Sequence, residues 1–286
     1  MASSLHSFRI AFVGAGSMAE AIIRGLTETG VADPGRIAVV NRSDSGRLEQ
    51  LHARYGIRTS NDANTKYDMI AEADIVVMAM KPKDVEATFR DLKHAISSKQ
   101  LLVSVIAGLS IAKIAALLET SAPIVRTMPN TSSTIGLGAT GMAFSANVSP
   151  EQKELALGIF EAVGIVSVVA EPLLDIVTGV SGSGPAYIYY FMEAMTKAAV
   201  EGGLSAEEAQ RLTLQTVLGA ARMVELTQEH PAELRRKVTS PNGTTQAAIE
   251  TLDRHQFSEG IVRAVFRAAE RAKEMGEAIA PDSVLR

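Results

Sequence analysis

The sequence predicts an α/β fold: a doubly wound, mostly parallel sheet over residues 1–170, followed by an all-helical domain over 171–286. Three observations carry this. Short β-branched runs alternate with helix-length amphipathic stretches up to that point, the pattern of βαβ units whose sheet is covered on both faces. A glycine-rich turn joins the first run directly to a helix. After Glu171-Pro172 no convincing strand remains, and alanine-rich helical periodicity takes over.

In chain order, residues 8–13 (FRIAFV) read as a buried strand and 18–28 as the helix after it. Residues 36–40 give a second strand, 45–55 a charged helix, and 74–80 (DIVVMAM) a third strand. The runs 101–106, 123–127, 138–144 and 165–169 follow as strands, with helical patterns at 84–94, 111–119 and 150–163. Beyond 171, helices are expected at 184–201, 205–227 and 257–275. Residues 186–192 (AYIYYFM) are apolar at successive positions, and a helix apolar around its circumference must be covered on several sides. The helical part is too small to bury it alone, so a homo-oligomer interface is expected there.

Composition narrows the function. The 286 residues suit two domains at about 150 each. An apolar share of 47% supplies a sizeable core and excludes a disordered chain. There is no cysteine, hence no disulfide, thiolate nucleophile or cysteine-held metal, and no metal site is expected. A net charge of −4 provides no basic footprint for nucleic acid. No apolar run approaches the roughly 18 residues of a membrane span, and the N-terminus lacks the basic start of a signal peptide. A cytoplasmic protein acting on a small molecule is expected.

Gly14-Ala15-Gly16-Ser17-Met18-Ala19 follows strand 8–13 and opens a helix. This is the GxGxxG/A pattern of a Rossmann-type dinucleotide site in its required context. Gly14 permits the tight turn, Gly16 lets the backbone approach a pyrophosphate, and Ala19 allows close helix–strand packing. The helix start at Ser17 and Met18 presents free N–H groups to the phosphates. The end of the second strand then selects the nucleotide. An acid there would bind the ribose 2′-OH, but the strand ends Asn41-Arg42-Ser43 with no carboxylate before Asp44. Arg42 with Asn41 and Ser43 suits a 2′-phosphate, so NADPH is expected, with NADH possible.

Further loops lie at the strand ends, where open α/β sheets bind ligands. Met80, Lys81 and Pro82 close strand 74–80, where the backbone passes close to a dinucleotide. Lys81 reads equally as a phosphate contact and as a solvated lysine. Residues 104–109 are small and leave room for a flat ring. Arg126 reads equally as a partner for an acid and as a structural ion-pair residue. In the helical part, 181–186 and 239–245 lead into helices and carry many donors. Such helix starts suit a carboxylate, although N-capping by Ser and Thr accounts for them as well.

With GAGSMAEA (14–21), MAMKP (78–82), SVIAGL (104–109), RTMPNT (126–131), SGSGPAY (181–187) and VTSPNGTT (238–245), the chain resembles the Δ1-pyrroline-5-carboxylate reductase family. These motifs run in that family's order over nearly the whole chain. The resemblance implies NAD(P)H-dependent reduction of the cyclic imine 1-pyrroline-5-carboxylate to L-proline, the last step of proline biosynthesis. It implies a dimer built through the helical domain, often further assembled, with the substrate site at the interface. It also implies that backbone N–H groups of Ser240, Gly243 and Thr244 meet the substrate carboxylate. Thr245, the candidate catalytic residue, would hydrogen-bond the ring nitrogen, with Asn64, Lys81 and Ala107 near the cofactor. The chain departs from the family pattern at Ser17, Ser132 and Asn242, and 64–72 runs longer than usual. Position 242 is usually glycine, and asparagine is the best substitute if φ is positive.

Hydride transfer is the cofactor's chemistry, and the protein's share is proximity and a fixed face. None of the five histidines lies in a glycine-rich motif. Two alternatives compete. A β-hydroxyacid-dehydrogenase-like reductase would use a lysine donor, Lys197 by position, but gives 239–245 no task. A non-enzymatic nucleotide-sensing protein would need no carboxylate loop.

Overall fold

The computed structural model describes residues 5–279. β1 (Ile10–Val13) is wholly buried: Ile10 and Phe12 enter one apolar layer, Ala11 and Val13 the other. That period of two belongs to a strand covered on both faces. α1 (Ser17–Glu28), β2 (Ile37–Val40), α2 (Ser45–Tyr55), β3 (Arg58–Ser60) and α3 (Ala63–Ala71) follow. Next come β4 (Ile75–Met78), α4 (Val85–Leu92), β5 (Leu101–Ser104), α5 (Ile111–Leu118) and β6 (Ile124–Met128). β7 (Gly138–Phe144), α6 (Pro150–Glu161) and β8 (Gly164–Val168) complete the sheet, in the order β3-β2-β1-β4-β5-β6-β7-β8. β1 pairs in parallel with β2 on one side and β4 on the other. The chain reverses its direction of winding at β1, and the crevice at that switch point is where an open α/β sheet receives a ligand.

Three elements of the sheet region add to or differ from expectation. β3 and α3 were not predicted: Arg58-Thr59-Ser60 is short, polar and at the sheet edge, so it carries no hydrophobic signal. β7 runs antiparallel to β6. Only residues 129–137 link them, too few for the crossover of a dozen or more residues that a parallel pair needs.

After β8, the helices are α7 (Leu174–Val177), α8 (Gly184–Glu201), α9 (Ala206–Thr227), α10 (Pro231–Lys237), α11 (Thr244–Arg254) and α12 (Phe257–Ala278), with a π-helical turn at Thr178–Gly182. Among the described residues no strand follows Val168. The chain divides into two compact units, one ending at Ser183 and resuming at Arg267, the other Gly184–Phe266. The division thus falls beyond residue 170, and specific bonds explain why. Buried Arg126 reaches Glu171 at 3.4 Å and Asp175 at 2.9 Å, and Glu171 also accepts the Ile111 N–H at 2.7 Å. Arg126 is therefore a structural ion-pair residue. Asn130 donates to the Ser181 carbonyl at 3.0 Å. The last turns of α12 return to the same unit: Gly108, at φ +77°, lies so close that an added Cβ would be 2.4 Å from the Ala272 carbonyl oxygen. Lys113 Nζ closes that helix end by donating to the carbonyls of Gly276 and Ile279 at 2.9 and 3.1 Å.

Within Gly184–Phe266, α8 and α9 are joined by a Thr196–Thr213 hydroxyl contact at 3.3 Å, and Phe191 meets Phe257 at 6.3 Å between ring centroids. No residue of α8 is fully buried, and Ile188, Tyr189, Tyr190 and Phe191 stand exposed.

Candidate active site

A cleft of about 430 Å³ opens at the carboxyl ends of β1, β2 and β4. Gly14 forms its floor. Its φ is +110°, its N–H donates to the Val40 carbonyl at 2.8 Å, and an added Cβ would lie 2.6 Å from the Ala79 carbonyl oxygen. Gly16 is different: nothing lies within 4 Å of where its Cβ would stand. Gly16 is also the N-cap of α1 and makes no side-chain cap, so the first N–H groups of that helix have no intrahelical partner. An open cradle beside a positive helix end fits a pyrophosphate.

The turn after β2 distributes its polar groups unevenly. Asn41 spends its amide locally, donating to the Asp44 carbonyl at 2.8 Å and accepting the Asp44 N–H at 3.2 Å. Asp44 caps α2 by accepting the Arg47 N–H at 2.9 Å. Arg42 lines the cleft with its side chain 82% exposed, 4.0 Å from the Asp84 carboxylate, and Ser43 lies beside it. The groups that this position turns to the cleft thus include an exposed cation and a hydroxyl.

Sequence reasoning missed Arg47. Its Nε donates to the Ala15 carbonyl at 3.0 Å and its guanidinium pairs with Glu20 in α1. It braces the glycine loop from behind. The bond to Arg47 holds the Glu20 carboxyl below its usual range against the opposing effect of burial, helped by Tyr55 and Arg54. Burial, followed by Glu20, pushes the Tyr55 hydroxyl up. No local pattern announces contacts between residues so far apart in sequence.

Met80 and Lys81 line the cleft as expected, while Ser17, Met18, Pro82 and Ala107 lie outside its lining. From α3 the wall is formed by Lys66, Tyr67 and Ile70, with the Lys66 amine 4.8 Å from the Tyr67 ring centroid. Asn64 is not on that wall: it sits in the first turn of α3, its N–H bonded to Asp62 at 3.1 Å.

The start of α11 forms a second polar locus. Asn242 takes φ +61°, the left-handed conformation that accounts for asparagine at a position usually held by glycine. Its N–H donates to Gln246 Oε1 at 2.8 Å. The Gly243 N–H is bonded to the Ser240 carbonyl at 3.0 Å, and a Cβ there would meet Ser240 Oγ at 2.5 Å. Thr244 and Thr245 open the helix, whose N-cap makes no side-chain bond, so their N–H groups have no helical partner. Exposed Ser240 and half-buried Thr245 flank this turn. The stretch 181–186 is spent differently: Ser181 Oγ donates to Val177 and the Ser183 N–H to Thr178, inside the π-helical turn.

A family model described as pyrroline-5-carboxylate reductase dimerisation matches residues 171–275. A second, described as NADP oxidoreductase, coenzyme F420-dependent, matches 9–108. Pyrroline-5-carboxylate reductase 1 of Bacillus subtilis is 42% identical over 271 residues, 95% of this chain and 90% of that protein. The chain belongs to the pyrroline-5-carboxylate reductase family. The solved reductase of Coxiella burnetii has TM-score 0.85 at 40% identity, covering 94% of this chain and 99% of that one. That of Plasmodium falciparum, solved with NADP bound, has TM-score 0.85 at 28% identity, covering 95% and 99%.

Membership in the reductase family removes the β-hydroxyacid-dehydrogenase and sensor alternatives. Lys197, the donor required by the first, is an exposed residue of α8 lying 3.9 Å from Glu201. The dimerisation match also accounts for the exposed apolar side chains of α8. Two histidines have structural tasks: His230 caps α10 by accepting the Ala232 N–H at 3.2 Å, and His52 Nδ1 lies 2.8 Å from the Ile57 carbonyl oxygen. Among the described residues, no helix is long and apolar enough to cross a membrane.

Proposed function

We infer that the chain reduces 1-pyrroline-5-carboxylate to L-proline with NADPH in preference to NADH, as a dimer in the cytoplasm. The nucleotide preference is carried by one observation. At the end of β2, Asp44 caps α2 and Asn41 bonds within its own turn, while Ser43 and the exposed Arg42, 4.0 Å from Asp84, line the cleft. A cation and a hydroxyl suit a 2′-phosphate, whereas recognition of a bare 2′-OH calls for an acid.

A reduced nicotinamide supplies the hydride when bound. Gly14 and Gly16 admit the pyrophosphate, with Met80 and Lys81 along the same cleft. The start of α11 takes the substrate carboxylate on the N–H groups of Thr244 and its neighbours, where the helix dipole favours negative charge. Ser240 and Gly243 shape that turn; the Gly243 N–H is already engaged by Ser240. The Thr245 hydroxyl holds the ring nitrogen and so fixes which face of the imine is presented. A protonated imine is electrophilic already, so the protein contributes orientation rather than acid–base chemistry.

The test is direct. Purified protein, pyrroline-5-carboxylate and each reduced nicotinamide are mixed, and absorbance of the reduced ring is followed. Turnover with a higher kcat/KM for NADPH supports the proposal, whereas equal values for NADPH and NADH remove the assignment to Arg42.

A further inference from the structure

The cleft holds an acid that helix capping has not taken. Asp44 accepts the Arg47 N–H at the start of α2, and Asp62 accepts the Asn64 and Thr65 N–H groups at the start of α3. Asp84 stands at the matching place before α4, on the β4 side of the cleft, and makes no side-chain cap bond. Its backbone is fixed, with its N–H donating to the Lys81 carbonyl at 2.9 Å. Its side chain is 34% exposed, and its carboxylate lies 4.0 Å from the guanidinium of Arg42, which comes from the β2 side. Thr88 and Asp91, one and two turns further along α4, line the same wall.

A bare 2′-OH can donate a hydrogen bond and is read by a carboxylate, whereas a 2′-phosphate is read by a cation. In this cleft the two kinds of reader face each other. Neither is buried, and an ion pair so exposed is weak and opens readily. Resting on the reading that Arg42 takes the 2′-phosphate, we propose that Asp84 is a second determinant of nucleotide choice. It competes for Arg42 when NADPH binds and accepts the 2′-OH when NADH binds. With NADPH, Arg42 turns from Asp84 to the phosphate, and the carboxylate is left beside a like charge. With NADH, the Arg42–Asp84 pair stays closed and Asp84 takes the hydroxyl. The preference for NADPH is thereby held to a moderate one that still admits NADH.

The test is binding without turnover. Dissociation constants for NADPH and NADH are measured by nicotinamide fluorescence in the absence of imine. Asp84→Ala should tighten NADPH and weaken NADH, each by about threefold, the scale of an exposed charged contact, with an unchanged circular-dichroism spectrum. Asp84→Asn keeps an acceptor but loses the charge, so it should tighten NADPH as much while holding NADH within about twofold of wild type. Arg42→Ala checks the underlying reading and should weaken NADPH alone. A merely structural role for Asp84 would shift both nucleotides in the same direction. Any pattern in Asp84→Ala other than opposite shifts overturns the proposal and leaves the role of Arg42 standing. If Arg42→Ala binds NADPH as tightly as wild type, the reading of Arg42 falls and the proposal falls with it.

Discussion

Replacing Arg42 with alanine tests the nucleotide assignment most sharply. A hydrogen bond to a charged group contributes about 1.5–3 kcal/mol. Two features of the site place Arg42 at the low end: its side chain is 82% exposed, and the Asp84 carboxylate 4.0 Å away competes for it. Taking about 1.5 kcal/mol, and about 1.4 kcal/mol per factor of ten, kcat/KM for NADPH should fall roughly tenfold. NADH has no 2′-phosphate, so its kcat/KM should change by less than about twofold, and the ratio of the two should drop nearly as far as the NADPH value. Charge also predicts a salt effect. With a Debye length of about 8 Å at physiological ionic strength, an exposed pair is already partly screened. Raising salt should therefore narrow the wild-type preference and leave that of R42A almost unchanged. The assay is steady-state oxidation of each cofactor at saturating imine, at two ionic strengths. Equal losses for the two nucleotides would mean that Arg42 does not read the 2′ position.

Thr245→Ala should lower kcat/KM for the imine about tenfold, the scale of one oriented hydrogen bond, while NADPH affinity by fluorescence titration stays put and Thr245→Ser restores most of the rate; unchanged turnover would make Thr245 a bystander. Gly243→Ala puts a Cβ 2.5 Å from Ser240 Oγ, so KM for the imine should rise tenfold or more with little change in melting temperature, because the turn is largely exposed. Gly108→Ala forces a Cβ to 2.4 Å from the Ala272 backbone at φ +77°, which should lower the melting temperature by several degrees in calorimetry. Glu20 gives a pH signature. Its folded pKa lies below the ordinary 4.5, so its stabilisation is complete above that value and is lost as pH falls through the lowered one. Glu20→Gln should therefore unfold more easily in denaturant at neutral pH but lose less additional stability on acidification; identical slopes would dismiss this role.

Much of this architecture was legible because period and punctuation agree. β1, the glycine turn and α1 combine a buried run, two glycines of distinct function and an amphipathic helix, three signals for one unit. Asn242 could be placed in the left-handed region because asparagine tolerates it better than other side-chain-bearing residues. The failures have equally physical causes. β3 is three polar residues recruited by its neighbour rather than by its own propensity. The direction of β7 depends on the length of a link, not on the strand. The local bonding of Asn41 and the bracing of Ala15 by Arg47 are hydrogen bonds, to which hydrophobic patterning is blind. Sequence alone therefore proposed Asn41 as a ligand without showing that its amide also holds its own turn, from a position that lines the cleft.

That last point bears on how such an enzyme is built. Around the cleft, strong polar groups act on the protein itself: Arg47 and Glu20 stiffen the glycine loop, and Asp44 caps α2. What faces the ligands is simpler: backbone N–H groups at two helix starts, the cations Arg42, Lys66, Lys81 and Lys83, and the hydroxyls of Ser43 and Thr245. Hydride transfer to an already electrophilic imine demands little proton movement from the protein but demands position, and position is lost when a loop can shift by an ångström. Investing charge in bracing rather than in catalysis is the arrangement that this chemistry favours. It also explains why a chain without cysteine, and without a histidine lining the cleft, can be an effective reductase.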